Sequence, residues 1–137
     1  MKQLNVLVFP GGTEIGLEIW RSLKDCKEIR LCSAGSEVSN HAPFVFDRHF
    51  DLPSVHETGW LEALNRITVD QNISYVFPAH DDAVVALAEN SERINAGIVS
   101  SPARTCRIAR SKLLTYEALS GVVPVPDVYA DPATIDR

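Results

Sequence analysis

The stretch VFPGGTEIG (residues 8–16) joins an apolar run, NVLVFP at 5–10, to a segment whose apolar residues recur at helical spacing. A short buried strand, a glycine turn and a helix in this order are typical of the α/β folds that bind nucleotides. Glycines let the backbone turn sharply and approach a ligand, and the amides at a helix N-terminus attract anions. The turn therefore predicts the fold and is the first candidate for a binding site.

The same alternation of strand and helix continues along the chain. Further strands are predicted at 28–34, 73–79 and 96–101, and further helices at 58–71, 81–94 and 101–121. The stretch 42–54 has room for a short extended piece but is not expected to form a helix. We predict an α/β fold, a three-layer Rossmann-like parallel sheet of four to five strands with helices on both faces, over residues 1–121. Residues 122–137 are interpreted as a proline-rich linker.

Composition excludes several classes of function. The 137 residues carry a formal charge of −5, without the basic stripe that neutralises nucleic-acid phosphates. No apolar run approaches the roughly 20 residues that span a bilayer, and the first residues do not resemble a signal peptide. Three cysteines without a Cys-x-x-Cys pair fit a reducing compartment. We therefore expect a cytoplasmic protein that binds neither nucleic acid nor membrane.

The first turn supplies four candidate binding residues, Gly11, Gly12, Thr13 and Glu14, because ligands gather at the carboxyl ends of parallel strands. The dinucleotide fingerprint requires glycine where Thr13 stands, and it requires an acid near the end of the second strand, where 32–36 has none. Glu14 would repel phosphate and suits an amine, an amide or a hydroxyl. The structural alternatives are a turn that only packs a helix on a strand, and an acid placed for the helix dipole.

Three further candidates lie later in the chain. Asp81 and Asp82 come directly after the strand at 73–79, where Asp81 is a candidate N-cap and both acids suit the first helical turn. Alternatively, they form a polar pocket that faces Glu14 across the strand ends. Arg48 can grip a carboxylate or phosphate with two hydrogen bonds, or belong to a local ion pair in a surface loop. The four histidines lack metal-ligand spacing, so no metal site is predicted.

Four stretches, taken in order, resemble a known family. They are VLVFPGGTEIGLEIWRSLK (6–24), DRHFDLPS (47–54), ISYVFPAHDDAVVALAE (73–89) and GIVSSPARTCRIARSKLLTYEALSGVVPVPDVY (97–129). Together they resemble the N-terminal pre-ATP-grasp domain of ATP-grasp enzymes, notably those like the carbamoyl-phosphate synthase large chain. The last stretch carries the likeness furthest, with a Ser-Pro helix start, a lysine, and a Val-Pro turn followed by another proline.

The resemblance implies a multidomain ligase that uses ATP and Mg²⁺ to activate a carboxylate as an acyl phosphate, which an amine or similar nucleophile then attacks. It implies that 122–137 leads to an ATP-grasp domain absent from these residues, and that this segment alone holds no catalytic residue and no tightly bound cofactor. Lys112 matches a lysine or arginine that contacts ATP in several members. Glu14 and either Asp81 or Asp82 match acidic positions that contact substrate in related purine-synthesis ligases. A homodimer is compatible with the sequence.

Two other classes of function stay open at this stage. A nicotinamide-dependent dehydrogenase or sugar-nucleotide epimerase requires an acid that holds the ribose, and the epimerase also requires a Tyr-x-x-x-Lys pair. None of the three tyrosines has a lysine four residues on, which disfavours the epimerase. A stand-alone module that binds a small ligand without chemistry is the second alternative.

Overall fold

The computed structural model describes residues 3–36 and 41–129, and its centre is a sheet of five parallel strands. The strands are β1 (Leu4–Phe9), β2 (Ile29–Gly35), β3 (Arg48–Asp51), β4 (Ile73–Pro78) and β5 (Gly97–Ile98). Their order across the sheet is β3-β2-β1-β4-β5. The first strand pairs on both sides, which explains its nearly continuous apolar sequence. The predicted α/β class, with a parallel sheet of four to five strands, is confirmed.

Helices cover both faces of this sheet. They are α1 (Glu14–Leu23), α2 (Ala42–Val45), α3 (Trp60–Asp70), α4 (Asp81–Glu89), α5 (Ala103–Arg110) and α6 (Lys112–Leu119), with a 3₁₀ turn at Ser91–Arg93. Val6 and Val8 of β1 belong to the core on one face, into which α1 and α2 pack. Leu7 and Phe9 belong to the core on the other face, with α3 and α4. The alternating directions of successive strand residues thus divide the core into two layers.

The structure corrects three predicted elements. Residues 42–45 form one helical turn, although no helix was expected there. Pro43 is compatible with it because the first turn of a helix does not require a backbone N–H at that position. The single helix predicted for 101–121 is two helices, because Ser111 is extended and its hydroxyl accepts a hydrogen bond from the Leu114 amide, which starts α6. The helix predicted for 81–94 ends at Glu89.

The C-terminal part of the described chain leaves the sheet. Helix α5 packs on α4 and α6 packs on α5, and α6 has no buried residue. Gly121 has a positive φ of 81°, which fits the predicted stop after this helix. Residues 122–129 form no helix or strand, while 130–137 of the predicted linker lie outside the described residues. Within the described ranges, no helix has the length and apolar character needed to cross a membrane.

Candidate functional site

The glycine turn is built into the packing of the sheet. The Gly11 amide donates to the carbonyl of Ala34 at 2.8 Å, which ties the turn to the end of β2. A Cβ atom at Gly11 would lie 2.4 Å from the Cβ of Ser33, and one at Gly16 would lie 2.6 Å from the Gly11 carbonyl oxygen. These glycines are required by close contacts inside the protein, which supports the packing interpretation of the turn for Gly11.

Thr13 is the N-cap of α1 and also holds two strand ends together. Its Oγ1 accepts a hydrogen bond from the Gly16 amide at 2.9 Å and donates to the Ala79 carbonyl at 2.8 Å. The threonine that breaks the dinucleotide fingerprint therefore has a structural role. It joins the turn after β1 to the end of β4.

Replacing Thr13 with valine, which keeps the shape and removes the hydroxyl, is expected to lower the free energy of unfolding by about 1 to 2 kcal/mol. Chemical denaturation measures the change. Thr13→Ser keeps both hydrogen bonds and should recover most of the loss. Equal stability of the valine variant and the parent would contradict the assigned role.

A cavity of about 230 Å³ opens at the carboxyl edge of the sheet, on the side of α3 and α4. Its apolar lining comes from the ends of β1 and β3, the loop after β3 and the start of α4: Phe9, Pro10, Leu52, Val55 and Ala83. Its polar lining is formed by Ser36, Ser54, His56, His80 and Asp82. The combination of an apolar lining and a few polar groups is typical of small-molecule sites.

Asp82 is the charged centre of this cavity. Its Oδ1 accepts from Nε of Arg110 at 2.9 Å, and its Oδ2 lies 3.2 Å from Nε2 of His56. The hydrogen bond from Arg110, followed by that from His56, lowers the pKa of the Asp82 carboxyl group below its ordinary value. His80 is the N-cap of α4, and its Nδ1 accepts from the Asp82 amide at 3.2 Å. The cluster therefore joins the loop after β3, the start of α4 and the end of α5.

Only one of the acidic candidates lines the cavity. Asp82 does so, whereas Asp81 is exposed, and the N-cap predicted for Asp81 is in fact His80. Glu14 is exposed at the start of α1, on the opposite face of the sheet from α4. Gly12 is half-buried beside it, outside the cavity lining. The carboxyl edge thus holds two separate acidic positions rather than one pocket that joins them.

The basic candidates lie apart from the cavity. The Nη1 of Arg48 donates to the side chain of Gln71 at 3.0 Å, just after α3. Arg48 is the first residue of β3, and its role in binding stays a prediction. Lys112 is the exposed first residue of α6, two positions after Arg110. Its contact with ATP likewise stays a prediction.

Sequence reasoning missed His56 and Arg110. His56 lies 26 positions before Asp82 and Arg110 lies 28 after it, so no local motif joins them. The one available signal was the position of Arg110 in the last turn of a predicted helix, where a basic residue is ordinarily attributed to the helix dipole.

Comparison with solved structures finds the same fold in parts of several enzymes. Over 87% of this chain, the structure of glycinamide-RNase-transformylase T from Mycobacterium tuberculosis aligns with a TM-score of 0.64 and 13% identity. N5-Carboxyaminoimidazole synthetase from Staphylococcus aureus, complexed with ADP, aligns over 88% of this chain with a TM-score of 0.64 and 13% identity. L-Amino acid ligase from Bacillus licheniformis aligns over 88% of this chain with a TM-score of 0.62 and 15% identity. This chain spans 35%, 30% and 30% of their lengths.

These matches are to the N-terminal pre-ATP-grasp regions of such enzymes. No protein-family model matches the chain, and no curated protein sequence matches it either. At these identities the likeness concerns the fold. The chain therefore has the Rossmann-like fold of pre-ATP-grasp domains, as its sequence resemblance implied.

Proposed function

We propose that this chain is the N-terminal, substrate-side domain of an ATP-grasp ligase that joins a carboxylate to an amine or similar nucleophile through an acyl phosphate. The observation that supports the proposal is the fold. Most of this chain aligns with about a third of each of three larger enzymes, a transformylase, a synthetase and an L-amino acid ligase. A second support is the carboxyl edge of the sheet, which holds the cavity on one face and the exposed Glu14 on the other.

In this proposal the chemistry occurs between this domain and a following ATP-grasp domain in the same cytoplasmic chain. Phosphoryl transfer requires Mg²⁺ and positioned cations around the triphosphate. The following domain would supply them, so residues 1–137 alone would be inactive. Residues 122–137 would be the linker, and α6 with its exposed Leu113 and Leu119 would lie nearest to the new domain. A homodimer is compatible with this arrangement.

Glu14 is the carboxylate best placed to receive an amine. Its side chain is exposed at the carboxyl edge, and within residues 3–36 and 41–129 it forms no ion pair. Asp82, by contrast, already pairs with Arg110. An ammonium group at Glu14 would therefore gain a charged hydrogen bond without displacing a resident cation.

The reading frame that encodes the chain offers the first test. We expect it to continue beyond codon 137 with an ATP-grasp domain of about 180 residues, which is an ordinary domain length. A stop codon directly after codon 137 would contradict the ligase and favour a stand-alone binding module.

Calorimetric titration separates the ligase from a nicotinamide-dependent enzyme. A Rossmann-fold NAD(P)-binding family protein from Shigella flexneri aligns over 79% of this chain with a TM-score of 0.53 and 15% identity, so this alternative has a structural basis. We expect no micromolar binding of NADH or NADPH to the 137-residue chain, because Thr13 is occupied as an N-cap and β2 ends without an acid. Micromolar binding of either nucleotide would overturn the proposal.

Glu14→Ala in the full-length ligase is expected to raise KM for the amine about tenfold, because a charged hydrogen bond contributes about 1.5 to 3 kcal/mol. KM for ATP should change less than about twofold. Glu18→Ala is the matched control, since Glu18 is exposed on the same helix and pairs with Arg21. Steady-state kinetics with each substrate varied in turn measures both constants, and an unchanged KM for the amine would remove Glu14 from the site.

Lys112→Ala is expected to have the opposite pattern. Losing a point charge near the triphosphate should raise KM for ATP about tenfold and leave KM for the amine unchanged. Lys27→Ala is the control, because Lys27 is exposed just before β2, at the opposite edge of the sheet. Equal ATP kinetics in the two variants would show that Lys112 is an ordinary surface lysine.

A further inference from the structure

The carboxylate in the cavity already has two partners within the protein. Both oxygens of Asp82 are occupied, Oδ1 by Nε of Arg110 at 2.9 Å and Oδ2 by Nε2 of His56 at 3.2 Å. Arg110 is outside the cavity lining, but its positive charge offsets that of Asp82, so the pair carries no net charge. A cationic ligand that reaches Asp82 therefore meets a carboxylate whose charge Arg110 already offsets.

The two histidines beside Asp82 add imidazole hydrogen-bonding groups to the cavity. Nδ1 of His80 accepts from the Asp82 amide, so the proton of a neutral His80 is on Nε2, which is a donor. Nε2 of His56 faces the Asp82 carboxylate and carries the proton there, which leaves Nδ1 as an acceptor. The hydroxyl groups of Ser36 and Ser54 also line the cavity. The rim therefore offers donors and acceptors without a free charge.

We propose that this cavity binds an uncharged amphipathic small molecule, with an apolar body and a neutral donor–acceptor head such as a primary carboxamide, and that Arg110 sets this preference by neutralising Asp82. The apolar body packs against Phe9, Leu52 and Val55. The head bonds to the imidazoles and hydroxyls at the rim.

Charged ligands are disfavoured for opposite reasons. An ammonium group at Asp82 shares the carboxylate with Arg110, so two positive charges compete for one negative charge. A carboxylate gains the remaining N–H groups of Arg110 but comes close to Asp82, and the acidic Asp81 lies beside it in sequence. This inference concerns the cavity alone and goes beyond the ligase proposal, since it requires neither ATP nor a second domain.

Three probes with the same six-carbon chain test the preference: hexanamide, hexanoate and n-hexylammonium. They are titrated into the 137-residue chain at pH 8, where histidine is ordinarily neutral, while NMR follows the ring signals of His56 and His80. We expect saturable millimolar binding of hexanamide and at least fivefold weaker binding of each charged probe. Equal or tighter binding of a charged probe would overturn the proposal, and so would the absence of saturable binding by all three.

Two variants test the role of Arg110 by reversing the charge preference. Arg110→Gln exposes the Asp82 carboxylate and is expected to strengthen hexylammonium binding about tenfold. Asp82→Asn leaves Arg110 unpaired and is expected to strengthen hexanoate binding similarly. Arg107→Gln is the matched control, because it breaks the ion pair with Glu89 that joins the same two helices outside the cavity. Unchanged preferences in both cavity variants would show that the ion pair does not select the ligand.

Discussion

Gly11→Ala is expected to lower the free energy of unfolding by about 3 kcal/mol, the upper part of the range for overpacking a core. The new Cβ would lie 2.4 Å from the Cβ of Ser33, which is fixed by the backbone of β2. Ser33 is fully buried, and its Oγ lies 2.8 Å from Nδ1 of His49, so the serine has little room to move. Urea denaturation monitored by circular dichroism measures the change as a lower midpoint with an unchanged slope.

Gly35→Ala is the matched control for this prediction. Gly35 is also buried in the sheet, but the nearest atom to a Cβ there lies 3.8 Å away, an ordinary van der Waals distance. Its stability should stay within about 1 kcal/mol of the parent. Adding Ser33→Gly to Gly11→Ala removes the clashing atom and should restore part of the loss. Equal midpoints for Gly11→Ala and Gly35→Ala would contradict the close packing of the turn.

Leu64→Ala is expected to cost about 3 kcal/mol, because Leu64 is fully buried in the core between α3 and the sheet. Removing its isobutyl group takes away apolar contacts and leaves a cavity among side chains that cannot fully collapse. Val69 lies on the same helix and is 58% exposed, so Val69→Ala should lower the free energy of unfolding by less than about 0.5 kcal/mol. Similar losses of stability in the two variants would contradict the placement of Leu64 in the buried core.

The strands and most helices of this domain were predictable because their signals are local. The apolar runs of β1, β2 and β4 are short and bounded by turns, and the helix at 60–70 shows its apolar spacing within eleven residues. The division of 101–121 into two helices was not predictable from spacing. It depends on the extended backbone of a single residue, Ser111, in an otherwise helical sequence.

The glycine turn shows that a motif can be located from the sequence while its distant contacts cannot. Its position after β1 was evident. However, Gly11 is required by its contact with Ser33, 22 residues later, and Thr13 bonds to Ala79, 66 residues later. Neither contact can be predicted from the nine residues of the motif. The likeness to pre-ATP-grasp domains could be recognised because several stretches occur in a fixed order over almost the whole chain.

The sequence by itself determined the class of fold, since this follows from local periodicity and from the handedness of parallel crossovers. It also predicted the edge of the sheet where ligands gather. Only the tertiary structure decided which polar groups meet at that edge. It placed Glu14 and Asp82 on opposite faces and paired Asp82 with Arg110. The reason is physical: an ion pair between distant segments depends on how α5 packs against α4, and no local pattern encodes that packing.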